Sequence, residues 1–79
     1  MLLLSTMTDG RFIVMDGGRL RRARRGRALS QQDLSAATGV AQATLSDLER
    51  GKRGARASTV RKLAAALDVE PKELMKEEE

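Results

Sequence analysis

The side chains able to do chemistry in this chain of 79 residues are nearly all of one kind. There is no histidine and no cysteine. That removes the commonest general base, the commonest metal ligands and every thiolate nucleophile. Carboxylates are not grouped with a nucleophile at catalytic spacing, so an enzyme is the poorest reading, and no catalytic residue, cofactor or metal site is expected. What remains is positive charge: 15 lysines and arginines against 11 acidic residues, a formal net charge of +4. Its distribution matters more than its total. Arg11, Arg19, Arg21, Arg22, Arg24, Arg25 and Arg27 form one basic block, and Arg50, Lys52, Arg53, Arg56, Arg61 and Lys62 form a second. Glu70, Glu73 and Glu77 to Glu79 make the C-terminal end acidic. A solvated helix surface accounts equally well for Arg21 to Arg27 taken alone. The asymmetry between this positive region and the acidic C-terminal end points to a polyanion contacted by one face, and the segment that follows Arg27 makes phosphate contact the better reading of the arginines.

The elements that must position these cations lie between the two blocks, in Ser30 to Arg50, SQQDLSAATGVAQATLSDLER. Ser30 is a good N-cap, and Asp33 at the third helical position suits the positive end of the helix dipole. Leu34 lies on the inward face. Gly39 supplies a residue that adopts positive φ and ends the helix. Val40 follows as an apolar plug. A second helix restarts near Ala41 with Leu45 and Leu48 inward, which leaves Gln42, Ala43, Ser46 and Asp47 mostly outward. A capped helix, a glycine turn and a second amphipathic helix make a helix-turn-helix, whose second helix enters the major groove of DNA.

The rest of the chain predicts one small domain with an aliphatic core, because Phe12 is its single aromatic residue. Residues 1–16 read as an N-terminal arm, 17–76 as the helical domain and 77–79 as an acidic tail. Leu2-Leu3-Leu4 is too short to span a membrane, and no signal-peptide layout follows it. Asp9-Gly10 is a hairpin turn signal, so Leu3 to Met7 is predicted to pair with Arg11 to Met15. The open edges of that hairpin suit pairing with a second subunit; the alternative is a disordered start in which Phe12 and Val14 merely pack on the bundle. Asp16 can cap a first helix of about Gly18 to Arg27, with Leu20 and Ala23 inward. Gly51 to Arg56 is a glycine-rich basic loop that allows close backbone approach to phosphate. Ser58 is predicted to cap a helix of about Ser58 to Leu67, with Val60, Leu63, Ala64 and Leu67 in the core. Pro71 opens a last helix at its first turn, where its missing N–H does no harm.

From about Gly18 to Met75 the chain resembles the phage repressor/Cro-like helix-turn-helix family, also called the xenobiotic-response-element or lambda-repressor-like family. The marks are Leu20 and Arg24, then Leu29-Ser30-Gln31, Leu34, Ala37, Gly39, Val40, Leu45, Leu48-Glu49, Gly51-Lys52, and Leu63-Ala64, Leu67 and Val69. The resemblance implies an all-α bundle of five helices, here with a short N-terminal β-strand or hairpin. It implies an interhelical salt bridge between Arg24 and Glu49. Base-edge contacts carry over to Gln42, Ala43, Ser46 and Asp47, on a third helix of about residues 41–50. Contacts to the DNA backbone carry over to Gln31, Thr44, Arg50, Lys52, Arg53 and Arg56. Asp47 accepts from cytosine or, since it repels phosphate, orients Arg50. The family carries glycine where this chain has Ala28, which implies either a helix end that tolerates a Cβ or a turn moved to Gly26. The function implied is a sequence-specific transcriptional regulator of double-stranded DNA. It would be a homodimer, through the N-terminal strand or the C-terminal helix, on an inverted-repeat operator. It would be cytoplasmic and nucleoid-associated, with no membrane partner. The competing reading is an antitoxin-type module that neutralises a protein partner and autoregulates its operon.

Overall fold

Leucines recurring at helical spacing fix how the chain closes on itself. The structure, a computed structural model, describes residues 12–77. Along them run β1 (Phe12–Ile13), α1 (Gly17–Gly26), α2 (Gln31–Thr38), α3 (Gln42–Glu49), β2 (Ala55–Arg56), α4 (Ala57–Leu67) and a single 3-10 turn, Pro71–Leu74. Every helix sends its apolar stripe into one core: Leu20 from α1, Leu34 from α2, Leu45 and Leu48 from α3, and Val60, Leu63 and Leu67 from α4, closed by Leu74. Each of these eight is at most 1% exposed. Burying each contributes about 1.5–3 kcal/mol of transfer free energy.

Local chemistry sets the helix ends. Asp16 caps α1 by accepting a hydrogen bond from the Arg19 N–H at 3.1 Å. Ser30 and Asp33 form a reciprocal capping box at the start of α2. Gly39, at φ +79°, ends α2 in the left-handed conformation, so the turn into α3 takes only a few residues.

Three features correct the expectations or add to them. Among the described residues the bundle has four α-helices, not five, because Pro71–Leu74 makes one 3-10 turn. Glu70 and Glu73 cap that turn reciprocally, and Met75 then leaves it in extended conformation. Met15 and Met75 form an antiparallel bridge, and the Lys76 N–H donates to the Val14 carbonyl at 2.9 Å. Backbone groups engaged across the fold in this way are lost to a continuing helix. Second, Phe12–Ile13 pairs antiparallel with Ala55–Arg56, in the register Phe12 to Arg56 and Ile13 to Ala55. The expected partner strand Leu3 to Met7 and its turn lie outside the described residues. Third, α4 starts at Ala57 rather than at a Ser58 cap. Pairing with β1 holds Arg56 extended, and the chain enters the helix directly from the strand.

Candidate nucleic-acid interface

The outward face of α3 is only as well defined as the groups that hold α3 against its neighbours. Arg24 is buried despite its charge. Its Nε donates to Glu49 Oε2 at 2.6 Å and its Nη2 to Glu49 Oε1 at 2.9 Å, a two-point grip between α1 and the last residue of α3. The two side chains are 9% and 4% exposed. Arg24 Nη1 also donates to the Leu29 carbonyl at 2.8 Å, which fixes the α1–α2 connection. Gln31 completes the set, its amide donating to Glu49 Oε1 at 3.2 Å. Burial works against the Glu49 charge, but the hydrogen bonds from Arg24 and Gln31 outweigh it, with help from the charges of Arg24 and Arg21. The carboxyl is left below its ordinary range. The bond to Glu49 correspondingly raises Arg24.

Held this way, α3 exposes Gln42 and Ala43 at its start and leaves Thr44, Ser46 and Asp47 half-buried along its flanks. Arg50, Lys52, Arg53 and Arg56 are all exposed. Arg50 Nη2 donates to Asp47 Oδ1 at 3.4 Å. On one flank, Ser46 and Arg50 share a cleft of about 350 Å³ with Arg21, Arg25 and Gln31. On the other, Thr44 shares a groove with Arg53 and Arg56. The cations expected to meet phosphate thus fall on both sides of α3.

Two residues that position the site escaped the sequence reading. A Cβ on Gly17 would stand 2.6 Å from the Leu48 carbonyl and closer still to that of Glu49. The start of α1 therefore packs directly on the end of α3, at a distance only glycine allows. A Cβ on Gly54 would stand 2.7 Å from the Ile13 carbonyl, so the basic loop lies hard against β1. The paired glycines Gly17-Gly18 opening a helix were the available signal, since glycine is a poor helix former unless something needs the space. At Ala28 the structure chooses between the two alternatives. Ala28 itself takes the left-handed conformation at φ +59°, and Gly26 stays helical. Among the described residues there is no group of three or more acidic, histidine or cysteine side chains that would hold a metal ion. No helix there is long and apolar enough to cross a membrane.

Comparison with known proteins follows the same outline. A family profile described as helix-turn-helix matches residues 20–74. A Bacillus subtilis protein named as an uncharacterized HTH-type transcriptional regulator, RghRB, is 43% identical over 60 residues, which are 75% of this chain and 43% of that relative; the chain thus matches less than half of its length. Among solved structures, the restriction-modification controller protein C.AhdI from Aeromonas hydrophila superposes with a TM-score of 0.71 at 41% identity, over 75% of this chain and 89% of that one. SinR, a master regulator for biofilm formation solved in complex with DNA, superposes with a TM-score of 0.69 at 30% identity, over 71% and 90% of the two chains. With its four-helix core, its Arg24–Glu49 clasp and a profile match over most of its length, the chain belongs to the Cro/C1-type helix-turn-helix family.

Proposed function

We propose that this protein is a sequence-specific transcriptional regulator of double-stranded DNA, acting as a homodimer on an inverted repeat with α3 in the major groove. One observation carries the reading: Gln42 and Ala43 are exposed at the start of α3, and each flank of that helix, at Thr44 and at Ser46, adjoins a cleft with exposed cations in its lining. A helix presenting short polar and methyl-bearing side chains between two basic walls fits a groove whose floor is base edges and whose rims are phosphates. The relatives support it, since RghRB is named a transcriptional regulator and SinR was solved with DNA. Gln42 pairs with an adenine edge, Ala43 meets a thymine methyl, and Ser46 adds a hydroxyl. Thr44, Arg50, Lys52, Arg53 and Arg56 hold the backbone. Because the reading surface is sparse, DNA shape and basic-loop contacts supply more of the affinity than base hydrogen bonds.

Dimerisation draws support from Val14, 64% exposed beside the Met15–Met75 bridge, where the N-terminal strand and the C-terminal segment run together. Selection of bound duplexes from a random pool tests the whole reading. Gln42→Ala should then relax specificity at one base pair, at a cost of about 1–3 kcal/mol on the selected site alone. Lys52→Ala should weaken selected and random duplex alike. If both substitutions cost the same on both duplexes, α3 is not the reading helix.

A further inference from the structure

We propose that the groove where β1 and β2 meet the start of α4 is a second seat for the DNA backbone, in which Phe12 packs on a deoxyribose while Thr59 and Lys62 hold the adjoining phosphate. This rests on the DNA-binding reading above and extends it to residues that reading leaves without a task. The groove, of about 310 Å³, is lined by Phe12, Thr44, Arg53, Arg56, Thr59 and Lys62 around a glycine and alanine floor. Its three cations are exposed, and none of them enters an ion pair among the described residues. No carboxylate lines the groove among the described residues. Unneutralised cations converging on one concavity repel each other until an anion enters it. The two threonine hydroxyls add neutral donors suited to phosphate oxygens.

The ring explains which anion. Phe12 is 61% exposed, and its backbone is held by pairing with Arg56. An apolar face fixed among cations is a poor match for a free inorganic anion. It fits the nucleic-acid backbone, where apolar sugar faces alternate with phosphates. Thr44 belongs to α3, so the groove runs on from the helix proposed to face the bases. The seat thus lies beside the major groove, on a backbone strand.

The test is equilibrium binding of the full chain to its selected duplex and to random duplex at several salt concentrations, for wild type, Phe12→Ala and Lys62→Gln. Lys62→Gln should weaken both duplexes and lower the slope of log K against log salt by about one. Phe12→Ala should weaken both by about three- to tenfold with the slope unchanged, as expected for lost apolar contact. Both side chains are exposed, so thermal unfolding midpoints should stay near that of the wild type. The proposal is overturned if either variant keeps wild-type affinity and slope, or if Phe12→Ala halves the solution mass, which would make the groove a contact between copies. A wild-type chain that binds no duplex overturns the DNA reading itself, and this seat with it. The wild type alone therefore tells the two failures apart.

Discussion

Arg24 donates through three nitrogens inside the protein, two to Glu49 and one to the Leu29 carbonyl. A pair this buried is worth little net, because desolvating both charges cancels most of their attraction, but losing one partner strands the other. Glu49→Gln should therefore cost about 3–5 kcal/mol by urea unfolding, out of a total that is typically about 5–15 kcal/mol. The double change Arg24→Met with Glu49→Leu should cost clearly less than Glu49→Gln alone. The pH dependence follows from the same carboxyl. Its folded pKa lies below its unfolded one of about 4.3, so its contribution is fully present above that value and is lost as pH falls through the folded one. Glu49→Gln should flatten part of the acid limb of a stability–pH curve. An unchanged limb would show that other carboxyls carry it. Ala28 makes a second case. An L-residue in the left-handed region costs about 1–2 kcal/mol, offset in part because alanine restricts the unfolded chain more than glycine does. Ala28→Gly should accordingly stabilise by about 0.5–1 kcal/mol, visible as a rise of a few degrees in Tm.

At the scale of elements, the contact that sets the attitude of α3 is backbone on backbone. Gly17 lies against the Leu48 and Glu49 carbonyls, whereas a Cβ on Gly18 would meet only Asp16 Oδ1 at an ordinary 3.4 Å. Gly17→Ala should therefore destabilise by about 1–3 kcal/mol and weaken DNA binding, because α3 must shift to admit the methyl. Gly18→Ala should be neutral or slightly stabilising through helix propensity. Equal effects in unfolding and binding would mean that α1 does not bear on α3 this way. The contrast marks what was legible in the sequence. Ser30, Asp33 and Gly39 act within a turn or two of chain, and their cap and stop could be read from residue type alone. Leu20, Leu34, Leu45 and Leu48 announced their faces by period. The close approaches of Gly17 and Gly54, and the pairing of Phe12–Ile13 with Ala55–Arg56, join segments far apart in the chain, and neither end carries the signal by itself. The supposed fifth helix failed for the same reason: Pro71 and the Glu70–Glu73 cap start a helical turn, and the bridge from Met75 to Met15 takes the backbone away from it. Likewise Gln31 was recognisable as a polar anchor at the head of α2, but its bond to Glu49 depends on where α3 ends.

For the whole molecule, size and charge together constrain how copies would sit on a duplex. The fold measures 40 × 30 × 21 Å. Half-sites read from one face of B-form DNA are centred one helical turn apart, about 34–36 Å. Two copies of these dimensions with α3 in successive major grooves meet when the 40 Å axis follows the duplex, and stand a few ångströms apart when the 30 Å axis does. Positive charge on each keeps them apart unless an apolar surface joins them, and Val14 is the exposed aliphatic side chain beside the paired N- and C-terminal segments. Val14→Asp should therefore lower the solution mass from dimer to monomer. It should weaken the selected inverted repeat by a large factor while leaving binding to a single half-site unchanged, because α3 and its flanking clefts are untouched. Sedimentation of the free chain, followed by titration of one-half-site and two-half-site duplexes, separates the two effects. A wild-type chain that remains monomeric and selects isolated half-sites would sink the dimer, and would leave the major-groove reading by α3 to stand on the Gln42 and Lys52 substitutions.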